Sequence, residues 1–237
     1  MNRIVLVALK NFWKVPGAWF KLRRYAKHTD AFSFEEKYNH IRYILRHVIL
    51  CGNIELEVTG LDNIPAEDGF LLCGNHQGLF DIIAIVHTFE RPLAAVLKKE
   101  LNDIPFLREI VECTKSYPMD REDVRQSMRV IQGVTKELTE GRNFLIFPEG
   151  TRSRNENELL EFHGGTFKCV TKSKCPIVPF ALVDSYKVLD QKGSKPVKVQ
   201  LHYMEPIYYD EYKDLSTNEI AVLVHDRIEA FVKKYKE

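Results

Sequence analysis

The stretch FLLCGNHQGLFD, residues 70–81, is the part of the sequence that most directly indicates the fold. Its first four residues are apolar, which is typical of a short strand that is buried on both faces. A polar loop follows, and the apolar run beyond it predicts a helix over residues 82–89. Open α/β sheets bind ligands where a strand ends and opens into a loop and a helix. Residues 70–81 therefore predict both an α/β sheet and the position of a site on it.

Similar apolar or alternating segments recur along the chain, separated by segments of helical periodicity. Ser216 and Glu219 form a capping-box pattern ahead of the last of these helices. Strands that alternate with helices predict an α/β architecture in which helices cover a mixed sheet. The predicted strands are 54–59, 70–73, 93–97, 144–147, 177–182 and 197–203, and the other predicted helices are 35–50, 122–140 and 219–235.

Two residues of the first stretch have the chemistry of a catalytic base. His76 and Asp81 are five positions apart, and on one regular helix their side chains would point about 140° away from each other. They can pair only if His76 lies in the loop and Asp81 lies at the start of the helix. An aspartate that holds one ring nitrogen fixes the histidine tautomer and leaves the other nitrogen as a base. The alternative is an aspartate that caps the helix beside an unrelated histidine.

A second polar segment, FPEGTRSR at residues 147–154, follows another predicted strand. Gly150 permits a turn in which the backbone comes close to a ligand. Arg152 offers a planar fork that suits phosphate or carboxylate. The alternative is a charged surface turn that an ion pair between Glu149 and an arginine stabilises.

Two further segments are weaker candidates for a site. Lys98 follows the predicted strand 93–97 directly, and Arg121 lies downstream of it. A solvated run of charges is the simpler explanation of both residues. Residues 176–180, with the preceding segment 162–168, could form a pocket wall, although a buried strand and its loop explain them equally well.

The amino-terminal segment combines positive charge with aromatic residues. Seven lysines and arginines precede Asp30, the first acidic residue, although the net charge of the whole chain is only +1. Lys10 interrupts the apolar run too early for a membrane span, and no cleavage site for a signal peptide follows. Pro16 and Gly17 are predicted to bend or break the helix.

This segment predicts an amphipathic helix that lies on an anionic membrane surface. The alternative is a helix that packs on the body of the protein and keeps a solvated basic face. We expect an interfacial segment at residues 1–50 and an α/β domain at residues 51–237. The residues expected to meet the membrane are Trp13, Trp19, Phe20, Lys21, Arg23 and Arg24.

The composition excludes several other classes of protein. The apolar fraction of 45% and the charged fraction of 28% are those of a globular domain rather than a disordered chain. The chain has five cysteines, an odd number, and no two of them form a CxxC motif. This argues against a disulfide framework or a zinc site, and reduced cysteines favour a reducing compartment. The sequence has no nucleic-acid motif, Walker loop, dinucleotide fingerprint, serine nucleophile elbow or metal-ligand spacing. We therefore expect no nucleic-acid partner, no metal and no covalent acyl-enzyme.

Taken in order, the polar segments resemble the four sequence blocks of the glycerolipid acyltransferase family. The resemblance covers residues of about 55–185. Two glycines that are usual in the second block are replaced here by Arg108 and Lys115, so we expect the backbone of that loop to differ. The matching residues are Asn75, His76 and Asp81 in the first block, Lys98 to Pro105 with Asp120 and Arg121 in the second, 147–153 in the third, and 177–179 in the fourth.

The resemblance implies acyl transfer from a fatty-acyl thioester, of acyl carrier protein or coenzyme A, to the free hydroxyl of lysophosphatidic acid. His76 would take the hydroxyl proton and Asp81 would orient its ring, and the activated thioester would need no cofactor. The resemblance also implies peripheral attachment to the cytoplasmic face of the cell membrane, without a transmembrane span. The implied substrate-binding residues are Lys98, Arg121, Glu149, Gly150, Thr151 and Arg152, and the implied pocket wall is Asn75, Val178 and Pro179.

The sequence leaves three alternative functions open. The acceptor could be glycerol-3-phosphate or another lysophospholipid, since the blocks do not separate these acceptors. A thioesterase would use water in place of the acceptor, and the basic residues suited to phosphate would then have no role. A membrane-binding protein without activity would have no use for the intact His76 and Asp81.

Overall fold

The computed structural model describes residues 3–235 of the 237-residue chain. Its strands are β1 (Ile54–Thr59), β2 (Leu71–Gly74), β3 (Leu93–Lys98), β4 (Tyr117–Met119), β5 (Asn143–Ile146), β6 (Ile177–Val183) and β7 (Val197–Tyr203). They form one seven-stranded sheet in the order β1-β7-β6-β2-β5-β3-β4. Neighbouring strands are parallel except β6 and β7, which are antiparallel. The mixed sheet predicted from the sequence is confirmed.

Helices connect the strands and cover the sheet. They are α1 (Arg3–Asn11), α2 (Lys14–Lys27), α3 (Phe34–Cys51), α4 (Asp81–Thr88), α5 (Leu107–Thr114), α6 (Val124–Thr139), α7 (Lys168–Ser173), α8 (Tyr186–Leu189), α9 (Tyr209–Tyr212) and α10 (Thr217–Lys234).

Successive residues of the central strands point to opposite faces of the sheet, and helices cover both faces. Leu72 of β2 lies in one hydrophobic core, together with Tyr38 of α3. Leu71 and Cys73 lie in the other core, together with Val134 of α6. A strand with two buried faces needs apolar residues at every position, which explains the sequence of residues 70–73.

The sheet brings the two strongest candidate segments to the same edge. β2 and β5 are parallel neighbours, with Leu71 opposite Phe144 and Cys73 opposite Ile146. The loops that follow them therefore leave the sheet side by side.

The predicted elements differ from the observed ones mainly at their ends. β4, α5 and the short helices α7, α8 and α9 were not predicted. β4 has only three residues and contains Pro118, which an outermost strand tolerates because the missing N–H faces no partner. Lys115 ends α5 in the left-handed conformation, with φ of 49°. This is one of the two positions where the resemblance leads one to expect glycine, and the left-handed backbone explains that preference. The capping box of Ser216 and Glu219 is present ahead of α10.

The amino-terminal helix breaks at a different place from the one predicted. α1 ends at Asn11 and α2 begins at Lys14, so the break falls at residues 12–13. Pro16 and Gly17 lie in the first turn of α2, where the missing N–H of proline would have no helical partner in any case. The prediction of a break at Pro16 and Gly17 was therefore wrong. Residues 1 and 2 of the predicted segment lie outside the described residues.

None of the helices between residues 3 and 235 combines the length and the apolar character needed to cross a membrane.

The first three helices are fastened to the α/β body. Leu22 of α2 and Tyr38 of α3 are fully buried in the core that also contains Leu72 of the sheet. The side chain of Arg3 is buried, and its guanidinium donates hydrogen bonds to the backbone oxygens of Val188 at 2.8 Å and Gly52 at 2.6 Å. Residues 3–51 therefore share a hydrophobic core with the body, and their independence as a unit stays a prediction.

Substitution of Leu22 tests whether the amino-terminal helices unfold together with the body. In Leu22→Ala the cavity left in the shared core is expected to lower the free energy of unfolding of the whole protein by about 2–5 kcal/mol. Urea unfolding followed by the fluorescence of Trp13 and Trp19 and by circular dichroism should show one transition. Phe20→Ala, on the exposed side of the same helix, serves as control and should change stability by less than about 0.5 kcal/mol. An unchanged main transition in Leu22→Ala would show that the helices are a separate unit.

Candidate active site

The structure brings His76 and Asp81 together. His76 lies in the loop after β2, and Asp81 is the first residue of α4, as pairing requires. The Nδ1 atom of His76 lies 2.6 Å from Oδ2 of Asp81. Asp81 is fully buried, whereas 20% of the His76 side chain is exposed. The pair thus consists of a buried carboxylate and an imidazole that solvent and substrate can reach.

Both carboxylate oxygens of Asp81 accept hydrogen bonds. Its Oδ2 atom accepts hydrogen bonds from the backbone N–H of Gln77 at 2.6 Å and of Gly78 at 3.0 Å, in addition to the bond from His76. The hydroxyl of Ser185 lies 2.5 Å from Oδ1, and Ser185 is itself fully buried. Several donors around one buried carboxylate fix its orientation. Asp81 can therefore hold the ring of His76 in one position.

The ring of His76 is also fixed by packing and by its own backbone. It stacks on Phe147 with ring centroids 4.1 Å apart, and Phe180 packs edge-on against Phe147. Among residues 3–235, no side chain or backbone group makes a hydrogen bond to Nε2 of His76. A neutral imidazole with its proton on Nδ1 then presents a free lone pair at Nε2.

The two loops are joined by hydrogen bonds through the backbone of His76. Its N–H donates to Oε1 of Glu149 at 2.9 Å, and its carbonyl oxygen accepts from the backbone N–H of Ser153 at 2.9 Å. Gly150 has φ of 69°, and a Cβ atom placed there would lie 3.1 Å from the ring of His163. The left-handed backbone favours glycine at this position, and the ring of His163 would have to shift slightly to admit a side chain.

Glu149 is buried rather than open to a substrate. Only 2% of the residue is exposed, and its Oε2 atom has no hydrogen-bond partner in the part of the chain that the structure describes. Burial raises the pKa of Glu149 to about 7, and the charge of Asp81 adds to this rise. The side chain joins the two loops and does not offer a charge to a phosphate. That Glu149 takes part in substrate binding stays a prediction.

Arg152 is already engaged by another residue. Its Nη1 atom lies 2.5 Å from Oδ1 of Asp190, and Arg154 lies 3.7 Å from the same oxygen. The other oxygen of Asp190 accepts the backbone N–H of Leu79 at 2.9 Å. The carboxylate of Asp190 thus occupies the donors of Arg152 and Leu79 that could otherwise bind an anion beside the loop of His76.

The other cations expected to bind substrate lie on the surface. Lys98 ends β3 and lies 3.1 Å from Glu100, and more than half of its side chain is exposed. Arg121 and Thr151 are exposed as well. Because Lys98 pairs with Met119 in the register of β3 and β4, Lys98 and Arg121 leave the same edge of the sheet as the two loops.

The residues expected to form a pocket wall lie inside the sheet. The side-chain amide of Asn75 exchanges two hydrogen bonds with the backbone of Leu182, both 2.8 Å long. Val178 and Pro179 are buried positions of β6. All three residues are buried beneath the site. That they form a pocket wall stays a prediction.

The residues expected to meet a membrane lie on the surface of α2 and the turn before it. Trp13 and Phe20 are the most exposed, at 73% and 75%, and Trp19 is 38% exposed with the guanidinium of Arg23 over its ring. Arg23 also lies 4.0 Å from Glu109. Lys21 and Arg24 are exposed.

Comparison with known proteins identifies the family of this chain. A family model described as acyltransferase matches residues 55–183, which is more than half of the 237 residues and includes both loops of the site. The chain belongs to the acyltransferase family. The resemblance inferred from the four sequence blocks is confirmed at this level.

Several relatives carry the name 1-acyl-sn-glycerol-3-phosphate acyltransferase. The relative from Helicobacter pylori is 27% identical over 166 residues, which are 66% of this chain and 70% of the relative. The relative from Bacillus subtilis is 28% identical over 190 residues, which are 79% of this chain and 91% of the relative. The crystal structure of the 1-acyl-sn-glycerophosphate acyltransferase PlsC from Thermotoga maritima has a TM-score of 0.78 and 22% identity, covering 98% of this chain and 95% of that one. This last likeness confirms the fold.

The burial of Glu149 predicts a pH dependence of stability. Its pKa rises from an ordinary 4.5 to about 7 in the folded protein, so the stability that the neutral form provides is lost as the pH rises through 7. Between pH 5 and pH 8 the wild type is expected to lose about 2 kcal/mol of unfolding free energy relative to Glu149→Gln, which has no proton to lose. Urea unfolding at both pH values measures this difference. The exposed Glu158→Gln serves as control, and an equal pH dependence of wild type and Glu149→Gln would contradict the account.

Proposed function

We propose that this acyltransferase moves a fatty acyl group from a thioester to the free sn-2 hydroxyl of 1-acyl-sn-glycerol-3-phosphate and so forms phosphatidic acid for phospholipid biosynthesis. The observation that carries the proposal is the pair of His76 and Asp81. Nδ1 is bound to a buried carboxylate, and Nε2 has no hydrogen-bond partner among residues 3–235. The names of the relatives from Helicobacter pylori and Bacillus subtilis support this acceptor.

His76 acts as the general base in this reaction. Its Nε2 atom takes the proton of the acceptor hydroxyl while that oxygen forms a bond to the thioester carbonyl carbon. The carbon–sulfur bond then breaks, and the proton passes from Nε2 to the departing thiolate. Asp81 stabilises the imidazolium that forms in between, since its carboxylate is already oriented toward Nδ1. Base catalysis of this kind contributes about 10²- to 10⁴-fold to the rate.

The acyl group passes directly between the two substrates. Ser185 is the hydroxyl nearest to Asp81, but it is fully buried and directed at the carboxylate, so it is not available as a nucleophile. The donor is acyl-coenzyme A or the acyl form of acyl carrier protein, and the thioester supplies the activation. We propose no cofactor for this reaction.

The cations at the carboxyl edge of the sheet bind the acceptor phosphate. Lys98 and Arg121 are exposed there, and the guanidinium of Arg152 lies beside the loop of His76. A phosphate that reaches Arg152 has to share it with Asp190 or displace that carboxylate. Thr151 and Gly150 form the turn that presents Arg152.

The amino-terminal helices bring the site to its lipid substrate. The exposed rings of Trp13 and Phe20 can enter the headgroup region, while Lys21 and Arg24 meet anionic lipid. Attachment is peripheral, and we place it at the cytoplasmic face of the cell membrane.

The first test of the proposal is acceptor-dependent thiol release from palmitoyl-coenzyme A in detergent. With lysophosphatidic acid present, His76→Ala is expected to lower kcat by at least about 100-fold, because the base is lost. His225→Ala, on helix α10, serves as control and should retain the wild-type rate. Turnover of His76→Ala close to wild type would contradict the assigned base. Release without any acceptor would indicate a thioesterase, and release only with glycerol-3-phosphate would indicate a different acceptor.

The second test concerns the membrane. Trp13→Ser combined with Phe20→Ser should raise the lipid concentration needed for half-maximal binding to anionic vesicles by at least about tenfold, because burying each ring contributes about 1.5–3 kcal/mol. Vesicle sedimentation measures the effect. Tyr208→Ser removes another exposed ring, one that lies outside the amino-terminal helices, and should bind as wild type does. Undiminished binding of the double variant would refute docking by α2.

A further inference from the structure

A cavity lies at the opposite edge of the sheet from the catalytic loops. It has a volume of about 540 Å³, and its wall includes Thr29, Lys37, Lys115 and Arg142. Arg142 directly precedes β5, whereas the loop of Glu149 follows the same strand. The cavity is therefore separated from the proposed acyl-transfer site by the length of β5. It lies between the connection of α2 to α3 and the amino ends of β4 and β5.

The cavity contains a buried ammonium group without a matching carboxylate. Only 2% of Lys37 is exposed, and its Nζ atom donates to the backbone oxygen of Thr29 at 2.9 Å and to its hydroxyl oxygen at 2.8 Å. Both acceptors are neutral. Within residues 3–235, Lys37 has no carboxylate at ion-pair distance. An ammonium group has three N–H donors, so one donor of Lys37 remains for a ligand.

The other charges of the wall leave an excess of positive charge. Arg142 is paired with Glu137, and Lys136 lies 3.8 Å from Glu140. In the described part of the chain Lys115 forms no ion pair. Of the acidic residues on the wall, only Asp30 remains to offset Lys37 and Lys115, and it is exposed.

An anion in this cavity would offset the excess of positive charge. Burial lowers the pKa of Lys37. Interactions with Cys113 and Asp30 raise it, whereas the charges of Lys115 and Arg142 lower it. A buried charge is stabilised when a group of opposite charge and suitable hydrogen bonds come within reach. The hydroxyl of Thr29, which accepts from Lys37, still has its own proton to donate.

We propose that this cavity binds a phosphate group through Lys37, Lys115 and the hydroxyl of Thr29. A tetrahedral oxyanion accepts hydrogen bonds from several directions, which suits an ammonium and a hydroxyl that lie beside each other. The phosphate can come from a lipid headgroup or from solution. Its binding bridges the α2–α3 connection to the α/β body and so fastens the amino-terminal helices. The inference is independent of the acyl-transfer reaction, because no residue of the catalytic loops takes part.

Amide NMR spectra of the full-length protein test the proposal. Sodium phosphate is titrated at constant ionic strength against sodium chloride, and the amide signals of Thr29, Lys37 and Lys115 are followed. They are expected to shift with phosphate in a saturable way and to stay in place with chloride. In Lys37→Met, which replaces the ammonium with an apolar group of similar length, the Kd for phosphate should rise at least tenfold. Lys172→Met, an exposed lysine on α7, should leave the Kd unchanged.

A second variant and a second ligand complete the experiment. Lys115→Met changes an exposed residue and should raise the Kd for phosphate at least threefold. This variant tests the proposal even if Lys37→Met does not fold. Dihexanoyl phosphatidic acid below its micelle concentration provides the lipid form of the ligand. Tighter binding of this lipid than of inorganic phosphate assigns the site to a headgroup, and equal binding assigns it to free phosphate. Equal shifts with phosphate and chloride, or an unchanged Kd in both lysine variants, would overturn the proposal.

Discussion

The candidate site depends on one buried carboxylate. Asp81 is completely enclosed, and a charge in that position is tolerated only because backbone N–H groups, the ring of His76 and the hydroxyl of Ser185 all donate to it. Removal of one hydrogen-bond partner from a buried polar group typically costs about 1–3 kcal/mol, and more when the group is charged. The hydrogen bonds that stabilise the buried carboxylate of Asp81 also fix the loop that carries His76. The same bonds therefore determine both the stability of this loop and the orientation of the His76 ring.

The sheet supplies the rest of the arrangement. Two parallel neighbours, β2 and β5, end at one edge, and hydrogen bonds from the backbone of His76 to Glu149 and Ser153 join the loops that follow them. The end of β6 brings Ser185 to the same place. Three separate parts of the chain thus converge on one imidazole. Helices on both faces keep these strands in register.

The sequence predicts the parts of this site that have a local pattern. The spacing of His76 and Asp81 requires a loop followed by a helix start, and the structure has this arrangement. Ser185 and Asp190 lie about a hundred residues further along and have no pattern of their own, so only their position after a buried strand could have drawn attention to them. Arg152 illustrates the same limit, because its residue type indicates anion binding but its pairing with Asp190 depends on tertiary contacts. The break before α2 was misplaced because a proline at a helix start and a proline within a helix have the same local sequence signal.

The tautomer of His76 is the most direct test of the account. Uniformly ¹⁵N-labelled histidine in the wild-type protein, with His76 assigned by comparison with His76→Gln, gives the nitrogen shifts of its ring at a pH where the ring is neutral. The account predicts a proton on Nδ1, which Asp81 accepts, and an unprotonated Nε2. A protonated Nε2 in the neutral ring would contradict it, because that nitrogen could then take no proton from an acceptor hydroxyl.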